Sequence, residues 1–95
     1  MTFEISLGVV STKKFKQDIQ RCENRNKDLG KLEFVIKELC CRKRLDLKYR
    51  QHLLSGKYNN RYECHIEPDW LLIWFIAGNK LILERTGTHS DLKLS

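Results

Sequence analysis

The stretch that decides the fold is residues 61–87, which read RYECHIEPDWLLIWFIAGNKLILERTG. In its first part, residues 61–67, polar and apolar side chains alternate, and a period of two is typical of a strand with one buried face. The apolar face carries Tyr62, Cys64 and Ile66, and the other face carries Arg61, Glu63, His65 and Glu67. We therefore predict a half-buried strand that presents His65 on the face away from the core.

Two further strands follow within the same stretch. The Pro-Asp pair at 68–69 predicts a turn, and residues 70–76 (WLLIWFI) form an apolar run typical of a strand buried on both faces. The Gly-Asn pair at 78–79 tolerates positive φ angles and separates this run from the last strand, residues 80–87. A tight hairpin is expected between these two strands.

The N-terminal half predicts one strand and two helices. Residues 4–10 have enough β-branched and apolar character for a short strand, and Ser11 or Thr12 can cap the helix that follows. Helices are predicted over 13–22 and 29–41 because apolar residues recur there at helical spacing. Those residues are Phe15, Ile19 and Cys22 in the first helix and Leu32, Val35, Ile36 and Leu39 in the second.

The predicted order is β-α-α-β-β-β, an α+β fold in which a helical hairpin packs on one face of a mostly antiparallel sheet. The basic stretch CRKRLDLKYRQH, residues 41–52, is interpreted as a loop between the second helix and the sheet. The chain has 95 residues, one proline and no repeat or low-complexity segment. We expect a single domain that spans residues 1–95.

Charge and composition narrow the class of protein. The chain has 18 Lys and Arg against 12 Asp and Glu, a net charge of +6, which favours nucleic acid, an acidic protein or an anionic surface as partner. No run approaches the roughly 20 apolar residues of a membrane span, and the N-terminus lacks the pattern of a signal peptide. We expect a cytoplasmic protein whose four irregularly spaced cysteines are reduced and mostly structural.

Three histidines supply the candidate chemistry. His65 faces away from the core, Asp69 lies in the next turn, and His52 and His89 come from the segments before and after the sheet. Imidazoles can exchange protons near neutrality, and with nearby cations and an aromatic side chain they are sufficient to cleave RNA without a metal ion. A structural or surface histidine is the default alternative for each ring. The residues alone indicate only a basic α+β domain suited to RNA.

The sequence also resembles a known family in two adjoining stretches. These are residues 62–92, YECHIEPDWLLIWFIAGNKLILERTGTHSDL, and residues 48–61, KYRQHLLSGKYNNR. They resemble the YafQ branch of the RelE-type toxins in a histidine before a Leu-x-Gly segment, the block ECHIEPDW, the apolar strand and the closing run RTGTHSDL. The N-terminal half matches the family's helix start, STKKFKQD, and its helical hairpin.

The resemblance implies the toxin of a type II toxin–antitoxin pair with a RelE-like fold. Such a toxin is a ribosome-dependent endoribonuclease that cuts messenger RNA by attack of the 2′-hydroxyl, giving a 2′,3′-cyclic phosphate, and needs no metal or cofactor. The implied partners are a cognate antitoxin, which alone contacts operator DNA, and messenger RNA on the ribosome. The implied catalytic set is His52, His65, Asp69 and His89.

Three further residues are candidates for RNA binding. Trp70 matches the family's aromatic beside the aspartate, which stacks on a base or shapes the site, and a core tryptophan is the equal alternative. Arg85 matches the arginine before the Thr-Gly pair and can neutralise a phosphate, although it alternates in phase with core-facing Leu81 and Leu83. Lys93 stands where family members commonly have an aromatic, and a cation there suits contact with phosphate.

Two alternatives to an active ribonuclease remain open. Lys93 in place of the aromatic fits a catalytically weak or inactive homologue that binds its antitoxin and acts only in repression of the operon. The second alternative is a zinc protein built from the histidines with Cys40, Cys41 or Cys64. The sequence has no C-x-x-C pair, and Cys64 and His65 are predicted on opposite faces of a strand, which disfavours zinc.

Overall fold

The computed structural model describes residues 6–93 of the chain. The elements, in order, are β1 (Gly8–Ser11), α1 (Lys13–Asn24), α2 (Leu29–Cys40), β2 (His52–Leu53), β3 (Tyr62–Glu67), β4 (Trp70–Ala77), β5 (Lys80–Gly87) and α3 (His89–Leu92). Short 3-10 turns span Leu47–Tyr49 and Gly56–Tyr58. No helix within the described range is long and apolar enough to cross a membrane. The α+β fold predicted from the sequence is confirmed.

The five strands form one mixed sheet in the order β1-β5-β4-β3-β2. Strand β1 runs parallel to β5, whereas all other neighbours are antiparallel. Strands β3, β4 and β5 follow one another through tight turns, as the sequence predicts, and the N-terminal segment returns to the edge of β5. The sheet is therefore mostly antiparallel with one parallel edge strand.

Local hydrogen bonds explain where the two long helices begin. The side chain of Thr12 accepts the backbone N–H of Phe15 at 3.0 Å, so Thr12 rather than Ser11 is the cap of α1. Asp28 caps α2 in the same way through the N–H of Gly30. Helix α1 extends two residues beyond the predicted end, and α2 ends one residue before it.

The core has two parts, one on each face of the central strand β4. On the helical face the helices pack on the larger cluster, whose members include Phe15, Cys22, Leu32, Val35, Cys64, Leu72 and Trp74. On the opposite face a smaller cluster contains Tyr58, Leu71, Ile73 and Leu92. The second face is therefore partly covered by the segment before β3 and by α3, and it is less open than the sequence suggests.

A bulge in β5 changes which way Arg85 faces. Ile73 of β4 pairs with Arg85, but its neighbour Trp74 pairs with Leu83, so Glu84 is an extra residue in the ladder. The alternation predicted from Leu81 and Leu83 is therefore broken after Leu83. Since directly paired residues share a face, Arg85 lies on the second face with Ile73 and not in the helical core.

A second register shift, between His65 and Glu67, corrects the predicted position of Glu67. The prediction placed Glu67 on the same face as His65. In the structure the Glu67 carboxylate binds Lys27 at 3.2 Å and Lys31, on α2, at 2.9 Å, and these contacts lower the pKa of Glu67. The irregular pairing thus ends the simple alternation of β3 after Ile66.

Two short elements are not predicted by the sequence, and one predicted element is only partly described. Strand β2 begins at His52, the last residue of the segment interpreted as a loop, and α3 follows the last predicted strand. Of the first predicted strand, residues 4 and 5 lie outside the described residues, and β1 begins at Gly8. Elements of two and four residues give too few side chains for a periodic pattern.

A buried carboxylate joins α1 to the edge of β5. Asp18, on α1, is 1% exposed and accepts the backbone N–H of Thr86 at 3.1 Å. It also binds Arg85 Nε at 2.7 Å and Nη2 at 3.2 Å, and Arg21 at 3.2 Å. Strand β1 pairs with β5 only as far as Leu83, so Asp18 satisfies an N–H of the β5 edge that β1 does not reach.

We predict that Asp18→Ala lowers the free energy of unfolding by about 3–5 kcal/mol, because Arg85 then keeps a buried charge without its partner. Urea denaturation measures this change. The control is Glu33→Ala at an exposed position of α2, for which a change within about 0.5 kcal/mol is expected. A loss below about 1 kcal/mol for Asp18→Ala would contradict the structural role assigned to this carboxylate.

Candidate active site

Three imidazole rings form a row on the second face of the sheet. His52 lies on β2, His65 on β3 and His89 at the start of α3. The ring centroids of His52 and His65 are 6.3 Å apart, and those of His65 and His89 are 5.8 Å apart. The pairing of β2 with β3 and the turn into α3 thus bring together three histidines that are distant in sequence.

Asp69 holds His89 at the end of this row. Its Oδ1 accepts the backbone N–H of His89 at 2.9 Å and lies 2.6 Å from His89 Nδ1. The backbone hydrogen bond and then the ring contact lower the pKa of Asp69, which favours its ionised form. An ionised carboxylate at Nδ1 fixes that nitrogen as the donor and leaves Nε2 of the half-exposed ring for another partner.

Glu63, which is not among the residues predicted for the site, lies beneath the other two rings. Its side chain is 5% exposed, and Oε1 is 3.2 Å from His52 Nε2 and 3.7 Å from His65 Nε2. Glu63 precedes His65 by two residues on β3, so strand alternation placed both side chains on one face. That shared face was the available signal, but a glutamate on a strand does not by itself predict contact with two imidazoles.

The hydrogen-bond partners distinguish the roles of His52 and His65. His52 has acceptors at both nitrogens, the carbonyl of Arg50 at 2.9 Å from Nδ1 and Glu63 at Nε2, and only the doubly protonated ring donates to both. His65 Nδ1 is 3.3 Å from the carbonyl of Pro68. With Nδ1 as the donor, its Nε2 lies beyond hydrogen-bond distance of Glu63 and keeps a lone pair for accepting a proton.

Trp70 lies in the core and not on the surface. The residue is 1% exposed, belongs to the larger cluster, and donates its indole N–H to Thr86 Oγ1 at 3.0 Å. Thr86 in turn donates to the carbonyl of Leu71 at 2.6 Å. A ring with no exposed face cannot stack on a base, so the stacking role is corrected to the core alternative. Trp70 instead anchors the turn that carries Asp69.

The two cations assigned to RNA binding lie in different environments. The guanidinium of Arg85 binds Asp18 and also contacts Tyr58 Oη at 3.3 Å, and its side chain is 13% exposed. Lys93 is exposed at the end of α3, with a left-handed backbone conformation. The structure therefore leaves Lys93 accessible and commits Arg85 to contacts inside the protein.

Several contacts fix α3 and therefore His89. Thr88 and Asp91 form a capping box, in which the side chain of each accepts the backbone N–H of the other. Asp91 also binds Arg25 at 2.7 Å, and this hydrogen bond holds the pKa of Asp91 well below its usual range. A Cβ at Gly87 would lie 2.9 Å from Asp91 Oδ2, so the close approach of Asp91 requires glycine there.

A groove of about 640 Å³ opens beside His65, between α2 and the 3-10 turn Leu47–Tyr49. Its lining combines cations with aromatic rings and includes Lys31, Phe34, Lys48, Tyr49 and Arg50. A groove of this size can hold part of a flexible chain. The row of histidines therefore has an open approach on one side.

The described residues do not support the zinc alternative. Within residues 6–93, no three His, Cys, Asp or Glu side chains are arranged to hold a metal ion. Cys64 is fully buried in the larger cluster, and burial raises the pKa of its thiol to about 12. A protonated thiol on the helical face is not available as a ligand beside His65.

The similarity to known proteins extends over nearly the whole chain. Residues 7–94 match the family described as "Bacterial toxin of type II toxin-antitoxin system, YafQ". The chain belongs to the YafQ toxin family. The family inferred from the sequence motifs is thus confirmed, and the protein is a toxin of a type II toxin–antitoxin system.

Relatives of known name or structure agree with this assignment. The mRNA interferase toxin YafQ of Escherichia coli K12 is 35% identical over 80 residues, which cover 82% of this chain and 86% of the relative. A chain of the E. coli DinJ–YafQ toxin–antitoxin complex is 31% identical with a TM-score of 0.85, and the match covers 93% of this chain and 98% of that one. A metal-bound toxin from Helicobacter pylori is 36% identical with a TM-score of 0.85, covering 90% and 98%.

We predict that Arg25→Gln raises the pKa of Asp91 in this YafQ-family toxin toward the ordinary aspartate value of about 3.9. Because the pKa of Asp91 is depressed in the folded state, its contact with Arg25 stabilises α3 fully at pH values above the ordinary aspartate pKa. This stabilisation is lost as the pH falls toward the pKa of the folded state. Carboxyl NMR titration of Asp91 measures the shift. Arg42→Gln, an exposed arginine outside the site, is the control. The same pKa of Asp91 in the wild type and in Arg25→Gln would contradict the role of Arg25 in lowering that pKa.

Proposed function

We propose that the protein is a ribosome-dependent endoribonuclease that cuts messenger RNA and thereby inhibits translation. The observation that supports this proposal is the row of three imidazoles, with neighbouring rings about 6 Å apart and one of them held by Asp69. Since a hydrogen bond joins atoms about 2.8 Å apart, one phosphate group can contact two neighbouring rings. The E. coli relative named mRNA interferase toxin supports RNA as the substrate.

His65 is the proposed general base. Its Nδ1 donates to a backbone carbonyl, which leaves Nε2 to take the proton of the substrate's 2′-hydroxyl. The 2′-oxygen then forms a bond to the adjacent phosphorus, and the bond from phosphorus to the 5′-oxygen breaks. The products are a 2′,3′-cyclic phosphate and a free 5′-hydroxyl.

His89 is the proposed general acid. Asp69 accepts from its Nδ1–H, and with the ring doubly protonated the opposite nitrogen, Nε2, gives its proton to the departing 5′-oxygen. The ring centroid is 5.8 Å from that of His65, which allows the two rings to act at opposite sides of one phosphorus. After the reaction His65 carries the additional proton and His89 lacks one, so the two rings exchange their protonation states.

His52 is the proposed cation that stabilises the negative charge on the phosphorane. Glu63 and the Arg50 carbonyl lie within hydrogen-bond distance of the two ring nitrogens, so both can accept from the ring when it is doubly protonated. An ordered cation beside developing charge is a common source of transition-state stabilisation. Glu63 is then a positioning residue, since it acts on the phosphate only through His52 and His65.

The two remaining cations have different proposed roles. Lys93 is exposed four residues after His89, and we propose that it contacts a phosphate next to the cleaved bond. Arg85 acts indirectly, because its guanidinium is bound to Asp18 and Tyr58. It joins α1 to the face that carries the histidines.

The ribosome and an antitoxin are the proposed partners. A ribosome that holds the message in an attack geometry reduces the part of the rate acceleration that the toxin itself must supply. This suits a site made of a few side chains. The DinJ–YafQ complex supports an antitoxin partner, which in our proposal alone contacts operator DNA. We propose that cleavage needs no metal ion, since proton transfer and charge stabilisation are both assigned to side chains.

The test is induced expression in a bacterial host, followed by mapping of new 5′ ends on messenger RNA. We predict growth arrest and cleavage phased with codons for the wild type. For His65→Ala we expect the cleavage rate to fall at least about 10²-fold, the usual contribution of a general base, and the growth arrest to be lost. Lys37→Ala, an exposed position of α2, is the control and should cleave like the wild type. For Glu63→Gln we expect kcat to fall by a larger factor than KM changes, because Glu63 acts on the phosphate only through His52 and His65.

Unchanged RNA ends with the wild type would contradict the proposal and favour an inactive homologue that only binds its antitoxin and represses the operon. Toxin that is stripped of metal with EDTA and then freed of the chelator should cleave on ribosomes in magnesium buffer as fast as untreated toxin. Loss of cleavage by the stripped toxin, restored by an added transition-metal ion, would contradict metal independence and would leave the assignment of the RNA substrate intact.

A further inference from the structure

A second groove, of about 520 Å³, lies away from the histidines, between the start of α1 and the segment before β3. Its charged lining consists of five cations, Lys13, Lys14, Lys57, Arg61 and Arg85, against one carboxylate, Glu84. We call this the basic groove. Phe75 and Tyr58 supply aromatic surface within it. Cations interleaved with aromatic rings are typical of a surface that follows a single RNA strand.

Two of the five cations already have partners within the protein. Arg61 binds Glu84 at 2.7 Å and lies over the Phe75 ring, and Arg85 binds Asp18. In the part of the chain that the structure describes, Lys13, Lys14 and Lys57 make no ion pair with a carboxylate. These three lysines are therefore the charges available to an anionic ligand. Their like charges repel one another, which an anion in the groove would relieve.

The basic groove and the histidine row lie on the same face of the sheet. His65 pairs with Leu71 of β4, and Leu71 and Tyr58 belong to the same buried cluster. Tyr58 also lines the basic groove, and Phe75 lies four residues farther along β4. At about 3.3 Å per residue, Leu71 and Phe75 are roughly 13 Å apart. One RNA molecule can therefore contact both places.

We propose that the basic groove is a second binding site for RNA phosphates, formed chiefly by Lys13, Lys14 and Lys57. This inference rests on the proposed function, which it extends from the cleaved bond to the RNA beside it. The shared ligand chemistry is a phosphodiester backbone, supplied either by the message or by ribosomal RNA. The position of the groove on the same face of the sheet as the histidine row favours RNA over an acidic protein segment.

The test measures binding without cleavage. The probes are single-stranded RNA with 2′-O-methyl groups, which cannot undergo 2′-hydroxyl attack, and ribosomes without message. We expect Lys13→Ala/Lys14→Ala to bind at least one probe roughly tenfold more weakly at low salt. The slope of log affinity against log salt should fall by about 0.7 for each phosphate that the variant no longer neutralises. Both lysines are exposed, so thermal unfolding of the variant should match the wild type.

The control is Lys37→Ala on α2, which removes a positive charge outside the basic groove. Weaker binding of the methylated RNA by the double variant assigns the groove to the message, whereas weaker binding of ribosomes alone assigns it to ribosomal RNA. Binding equal to that of Lys37→Ala with both probes overturns the inference. Because no probe is cleaved, these results do not depend on whether the toxin proves to be a nuclease.

Discussion

Residues 70–74 of strand β4 are buried on both faces, and this constraint sets the positions of the elements around them. Leu72 and Trp74 face the helices, while Leu71 and Ile73 face the smaller cluster. A strand of this kind must be central, so β3 and β5 pair on its two sides and β1 and β2 become edges. The histidine row runs from β2 across β3 to the start of α3, which follows β5.

Two buried carboxylates, Asp18 and Glu63, have different roles. Asp18 joins a helix to a strand edge through Arg85 and a backbone N–H, which is a structural task. Glu63 is similarly buried, but its partners are two imidazoles that reach the surface. A carboxylate with little solvent around it interacts strongly with a nearby cation, the role proposed for His52. We therefore place Glu63 in the support of the active site and Asp18 in the support of the fold.

The sequence predicts the parts of the fold that have a long hydrophobic pattern. The helical stripe around Leu32 and Val35 and the apolar run of β4 appear in the structure as expected, except that the run predicted to be buried through residue 76 ends at an exposed Ile76. The bulge at Glu84 was not predictable, because one extra residue reverses the face of Arg85 without changing the composition. Strand β2 and helix α3 are also too short to show periodicity, although Thr88 followed by Asp91 has the spacing of a capping pair.

The candidate site likewise has one part that the sequence predicts and one part that it does not. Spacing alone places His65 and Glu63 on one face, and only the family motifs single out His52, Asp69 and His89. The contacts among them depend on the pairing of β2 with β3 and on the anchoring of α3 by Asp91, which are long-range features. The burial of Trp70 was likewise undecided, since a tryptophan between a turn and a core strand fits either environment.

The proposed mechanism depends on imidazoles that cleave RNA by attack of its own 2′-hydroxyl. The most direct measurement is the chemistry of the new RNA ends, read by mass spectrometry after cleavage by the purified toxin on programmed ribosomes. We predict a 2′,3′-cyclic phosphate upstream and a 5′-hydroxyl downstream. A 3′-hydroxyl with a 5′-phosphate would show that water attacks the phosphorus, and it would contradict the roles assigned to His65 and His89.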